Sequence, residues 1–210
     1  MFAAQKIGNR KLYWLLLTGL SLTLGAVGQG TFIYDQQSAS ESSGGGGLAA
    51  IQSNQPLGQS FTPTNASIDF IRLFLADSAS QGVGATLYIN LRSDSITGPI
   101  MASTDPVFIP NLFGTAFGAA GYTNFFFTTS VAVTPGTTYY FQPVIQSGDS
   151  CFIIAYHYTY AGGTAFFNGT ADPNNDLWFR EGIVVPEPSS LLLLIGSGVL
   201  FYVRHAKNRK

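Results

Sequence analysis

The chain has 210 residues, 46% of them hydrophobic and only 10% charged, with a formal net charge of −1. A single cysteine, Cys151, excludes an intrachain disulfide, and the two histidines, His157 and His205, leave little from which to build a zinc centre or a Ser/His/Asp site. The charge is unevenly placed: residues 29–185 hold three arginines against ten carboxylates, a net −7 that excludes nucleic-acid binding.

The N-terminus reads as an export signal. Lys6, Arg10 and Lys11 precede an uncharged apolar stretch from Leu12 to Ala26, and Ala26-Val27-Gly28 offers small residues where a signal peptidase reads. Cleavage after Gly28 makes residues 1–28 a signal peptide with a helical apolar segment. An uncleaved N-terminal anchor is the alternative, because the stretch is long enough to straddle a thin membrane. Both readings carry the middle of the chain out of the cytoplasm.

Residues 29–184 predict one all-β domain. TFIYD, QSFT and IDFIRLFL lead, and GATLYINLRS alternates cleanly, with Leu87, Ile89 and Leu91 on one face and Thr86, Tyr88, Asn90 and Arg92 on the other. TNFFFTTSVAV, TTYYFQPVI, CFIIAYHYTY, TAFFN and DLWFREG follow. Thr134-Pro135-Gly136-Thr137 has the residues of a type II turn, and Ser147-Gly148-Asp149, Ala161-Gly162-Gly163 and Asp172-Pro173-Asn174 punctuate the later strands. About eight or nine short strands without an amphipathic helix predict an antiparallel two-sheet sandwich of jelly-roll type. SASESSGGGG, residues 38–47, has almost nothing to bury and is expected to be a loop.

Within that domain the chemistry-bearing residues are few. Cys151 lies in an apolar run and is expected to be a buried, inert thiol, and His157 between tyrosines is expected to be a hydrogen-bonded framework residue. Tyr156 and Tyr158 share a strand face, and with Trp178 they are candidates for a sugar-stacking platform, with Asp176 or Asn168 as polar partner. The competing reading makes Trp178 a core residue, because Leu177-Trp178-Phe179 is continuously apolar between Asp176 and Arg180. Asp172, Asn174 and Asp176 place oxygen side chains at alternate positions, so calcium is the one cofactor to consider. The spacing is not an EF-hand, since Leu177 stands where the loop glycine belongs and Ile183 where the terminal glutamate belongs.

The tail has three parts in order: Pro186-Glu187-Pro188, an uncharged run from Leu191 to Val203, and a basic end of Arg204, Lys207, Arg209 and Lys210. A helix over 189–203 would rise about 22 Å, short against a hydrocarbon core of about 30 Å. The basic end belongs on the cytoplasmic side. Residues 185–210 thus predict a sorting signal containing a short membrane helix. A buried globular helix would instead be amphipathic.

Val185-Pro186-Glu187-Pro188-Ser189-Ser190, with the leucine-rich run and basic terminus, resembles the PEP-CTERM sorting signal of exosortase-bearing Gram-negative bacteria. The resemblance implies that a membrane-embedded cysteine protease of the exosortase class recognises Pro186, Glu187 and Pro188, cleaves nearby, and passes the protein to the cell surface or extracellular polymer. A second resemblance is carried by the order of TFIYD, Gly58-Gln59-Ser60-Phe61-Thr62, GATLYINL, Pro135-Gly136-Thr137-Thr138-Tyr139-Tyr140 and Asp176-Leu177-Trp178-Phe179-Arg180. In this order the middle of the chain is similar to choice-of-anchor β-sandwich domains, which implies an extracellular structural or adhesive role without a reaction.

The reading that follows is an exported, non-enzymatic surface or matrix protein, held briefly in the membrane by its C-terminal helix. Its expected partners are signal peptidase, an exosortase-like protease and extracellular polysaccharide. A carbohydrate-binding module is the first alternative and an extracytoplasmic polysaccharide hydrolase the second. An exposed aromatic patch would mark the former, and a paired-carboxylate cleft with perturbed titration the latter.

Overall fold

The computed structural model describes residues 30–43, 46–77, 82–114, 121–157 and 160–186. The expected signal helix and C-terminal helix, together with Tyr158, Glu187 and Pro188, lie outside the described residues. The strands are β1 Thr31–Gln37, β2 Gly47–Ala50, β3 Gly58–Phe61, β4 Ser67–Ala76, β5 Ala85–Arg92, β6 Ile100–Ser103 and β7 Val107–Ile109. They continue with β8 Tyr122–Ala132, β9 Tyr139–Gly148, β10 Phe152–Tyr156, β11 Ala165–Phe167, β12 Thr170–Asp172, β13 Asp176–Leu177 and β14 Phe179–Val185.

These strands make two antiparallel sheets. The first runs β1-β14-β4-β10-β13, with β8 on the free edge of β4 and β2 on β10. The second runs β12-β11-β3-β9-β5-β6, with β7 also on β5. Neighbours are mostly not consecutive in the chain, so long connections cross between sheets, as a sandwich of jelly-roll type requires. The residues from Phe32 to Val185 form this unit by themselves.

Alternation decides which side chains enter the space between the sheets. Leu87, Ile89 and Leu91 of β5 and Ile71, Leu73 and Leu75 of β4 are all fully buried in one cluster. Phe61 and Phe141 from the second sheet meet Phe179 from the first at ring separations of 6.1 and 5.2 Å, so the sheets pack face to face. Each buried Phe or Leu contributes about 1.5–3 kcal/mol. A polar bridge also crosses the gap: the Gln59 Nε2 donates to Asp176 Oδ1 at 2.8 Å, and Gln59 Oε1 accepts from the Leu177 amide at 2.9 Å.

The turn over 134–137 forms as its residues dictate. Gly136 has φ +78°, and the Thr137 amide donates to the Thr134 carbonyl at 3.1 Å.

Four strands go beyond the sequence expectation: β2, β6, β7 and β12. Gly47, expected in the loop, instead opens β2 and pairs with Ala155. The expected strand CFIIAYHYTY ends at Tyr156 among the described residues. β12 closes a two-residue hairpin on Asn168 (φ +52°) and Gly169 (φ +75°), with Phe167 opposite Thr170. Asn-Gly at those positions is a strong hairpin signal.

β13 and β14 are one run that changes partners at Trp178. Leu177 pairs with Ala155 of β10, the Trp178 amide donates to the Ile154 carbonyl at 2.8 Å, and Phe179 pairs with Leu73 of β4. Leu177 and Phe179 point into the main core. Trp178 points to the other face of the sheet, where it forms a second, smaller cluster with Ala39, Ile154, Phe74 and Tyr122.

Candidate functional site

An open concavity of about 320 Å³ lies where β2 and β10 of the first sheet approach the β11–β12 hairpin of the second. Gly47, Ala49 and Ala155 line its shallow floor and Asn54, Phe167, Asp172 and Asn175 border it, while Leu48 contributes from β2 with its side chain turned, like that of its partner Ile154, to the outer face. Leu48 is 49% exposed. The Asn54 Nδ2 donates to the Ala50 carbonyl at 2.7 Å, which fixes the amide against β2. A ring, two amides and a carboxylate around a shallow floor suit a small neutral polar ligand with an apolar face.

Two of the predicted platform residues, Trp178 and Asp176, are buried, and Tyr158 lies outside the described residues. Trp178 is fully buried, with Tyr122 and Phe74 at ring separations of 4.6 and 5.9 Å and its Nε1 donating to the Ser40 carbonyl at 3.4 Å. No face of the indole is open to a sugar, so the core reading of Trp178 holds. Its neighbour Asp176 is 4% exposed, turned inward to Gln59 and to the Tyr160 amide at 3.2 Å, and burial raises its carboxyl above the usual range. Tyr156 alone of the described platform residues is at the surface, 49% exposed, and it flanks the concavity through Ala155. Asn168 sits in the hairpin turn.

The three oxygen-bearing residues considered for calcium face different partners. Asp172 Oδ1 accepts from the Asn174 amide at 3.1 Å and Oδ2 from Asn175 Nδ2 at 2.8 Å, an Asx-type turn, while Asp176 faces the interior. Among the described residues no group of three His, Cys, Asp or Glu side chains converges as metal ligands.

His157 Nδ1 donates to the Asn174 carbonyl at 2.7 Å and so helps hold the loop before β13. Cys151 is fully buried, and burial pushes its thiol up to about 12, with the Asp77 charge adding to the shift. The thiol stays protonated and unreactive at neutral pH.

One carboxyl pair has strongly divided titration, and sequence reasoning missed it. Asp35 on β1 accepts hydrogen bonds from the Thr64 amide (2.7 Å), the Asn65 amide (2.9 Å) and the Thr64 hydroxyl. These bonds outweigh its partial burial and hold the carboxyl below the usual range. Glu181 on β14 is fully buried beside it. Burial first, and the Asp35 charge second, push Glu181 up to about 8. Neither Glu181 oxygen has a hydrogen-bond partner, so burial beside the Asp35 charge favours the neutral acid. Such a division resembles an acid/base pair. Glu181, however, presents no surface to a substrate.

At its far end β14 approaches the sorting segment. The Val184 amide donates to Asp69 Oδ2 at 2.7 Å, and the strand ends at Val185, one residue before Pro186. Residues 184–210 match the family model of the PEP-CTERM protein-sorting motif. No curated protein matches the chain. The motif marks an exported protein that is anchored in the membrane until an exosortase, itself a membrane protein, processes it.

Proposed function

Taking that sorting motif as premise, we propose that the β-sandwich is a non-enzymatic passenger, delivered by exosortase processing to the cell surface or extracellular matrix, where it serves as a structural domain. The observation that carries this reading is the junction itself: the motif begins where the last core strand ends, so the sandwich is the cargo that the signal sorts. The framework roles of His157, Cys151 and Asp176 support the absence of a reaction, since each is engaged in holding the fold.

Glu187→Ala tests the sorting role. Glu187 follows the last strand, so the variant is expected to fold like the parent and to stay in the membrane fraction of an exosortase-bearing host while the parent is released. Equal release of both proteins would reduce the tail to a plain anchor.

A second reading is favoured by the concavity between β2 and the β11–β12 hairpin: binding of a neutral sugar unit of the matrix, with Phe167 as the apolar wall and Asp172, Asn175 and Asn54 as hydroxyl partners. The carboxylate in the wall and the net −7 of residues 29–185 disfavour an anionic sugar there. Asn175→Ala, at the border of the concavity, should cut retention on purified matrix polysaccharide at least tenfold with a melting temperature close to the parent's. Retention equal to the parent's, or a parent that is not retained, removes this reading.

A further inference from the structure

On the outer face of the first sheet, two of the three arginines of residues 29–185 stand side by side. Arg180 of β14 and Arg72 of β4 are direct cross-strand partners, an arrangement of like charges that costs stability unless something else holds it. Aromatic rings orient both groups. The Arg180 guanidinium lies 3.4 Å above the centre of the Tyr34 ring, and that of Arg72 lies 5.4 Å from the centre of Tyr122.

Among the described residues a single carboxylate serves the pair. One oxygen of Glu41, Oε1, reaches Arg72 Nη2 at 2.8 Å and Arg180 Nη1 at 3.7 Å. Two positive charges therefore share one negative charge, and the buried Arg72 Nε is left without an acceptor. Glu41 comes from the serine-rich loop after β1, and its side chain is 43% exposed. The loop backbone is tied down independently, because the Glu41 carbonyl accepts from the Tyr122 hydroxyl at 3.0 Å and the Ser40 carbonyl from Trp178 Nε1. The carboxylate can rotate away while the loop stays in place. The Arg72 and Arg180 side chains are only 19% and 17% exposed, so Glu41 is the solvent-facing member of both pairs and the one that can exchange for an arriving carboxylate.

The geometry points to a carboxylate-binding site at Arg72 and Arg180, occupied here by Glu41 as an internal stand-in, that takes the carboxylate of a uronic-acid sugar. A bidentate carboxylate would match the planar guanidinium fork better than the one oxygen that Glu41 offers. At physiological salt, charges beyond about 8 Å are screened, so an arriving carboxylate responds to the arginine pair and not to the domain total. A sugar fits this surface better than an acidic peptide. β14 and β4 are both interior strands whose backbone groups are taken by their neighbours, leaving no edge for a peptide to extend. The site lies on a different face from the concavity described above and stands independently of it.

The test is binding of short oligogalacturonate to the full-length protein, with a neutral glucan oligomer and polyglutamate as comparison probes. Glu41→Ala should tighten oligogalacturonate binding at least threefold by removing the internal competitor. Arg180→Gln should weaken it at least tenfold, and Arg92→Gln, on the other sheet, should change nothing. If Arg180→Gln does not fold, the Glu41→Ala comparison decides alone. No oligogalacturonate binding by parent and Glu41→Ala protein, or no gain on removing Glu41, overturns the proposal. Equal binding of polyglutamate overturns it in favour of a peptide ligand.

Discussion

Trp178→Ala should lower the stability of the folded protein by about 3–5 kcal/mol, the range for removing a fully buried large aromatic side chain. The indole fills the small cluster on the outer face of the first sheet, touching Tyr122 and Phe74, and its Nε1 ties down the Ser40 carbonyl. Truncation leaves a cavity that the two neighbouring rings, on β4 and β8, cannot close, and it frees the loop carrying Glu41. Trp178→Phe keeps most of the volume and should cost far less. Urea denaturation followed by far-UV circular dichroism measures both. An unchanged midpoint for the alanine variant would mean that the indole is at the surface after all, and would restore it as a sugar platform.

The second large effect is a dependence of stability on pH set by Glu181. Its carboxyl is held up to about 8 in the folded protein, against 4.5 for the free side chain. Between those values the folded state keeps a proton that the unfolded chain has lost. Stability is therefore full below about 4.5, falls as pH rises towards 8, and levels off above it, with a limiting slope of about 1.4 kcal/mol per pH unit. Asp35 acts in the opposite sense, since its lowered carboxyl contributes stability above its free value of 3.8 that is lost as the pH falls further. Asp176, raised by burial, adds to the loss on the alkaline side. Tyr160, pushed up to about 12, does not titrate in this window. Glu181→Gln, neutral at every pH and of similar shape, should flatten most of the slope between pH 5 and 8. Denaturation midpoints at pH 5, 6.5 and 8 decide. A parent protein equally stable at all three would mean that Glu181 is not held as a buried neutral acid.

The sequence carried the fold class because period-two alternation is a direct trace of a half-buried strand, and β5 shows it plainly. Short strands left no such trace. β6 and β7 pair with successive parts of one long strand, β5, and β2 exists because β10 offers it an edge; partners, not local composition, define them. Trp178 was ambiguous for a related reason. Leu177-Trp178-Phe179 is continuously apolar because both faces of that run are covered, one by the main core and one by the loop after β1, and a one-dimensional pattern does not reveal a cover supplied from about 140 residues away. The carboxyl pair was hidden likewise, with Asp35 and Glu181 at opposite ends of the domain sequence and neighbours only once β1 lies against β14. The concavity is assembled from four strands and the loops before β3 and before β13, and its nearest local clue was the Asn168-Gly169 turn.

The bond between the Val184 amide and Asp69 fixes where the body of the protein stops. Pro186 follows Val185 and lies outside the last ladder, so a cut beyond Pro186 severs no strand of the described residues. On the proposed function, maturation is then a change of address without a change of conformation. In the proposed scheme the precursor and the processed protein carry the same sandwich.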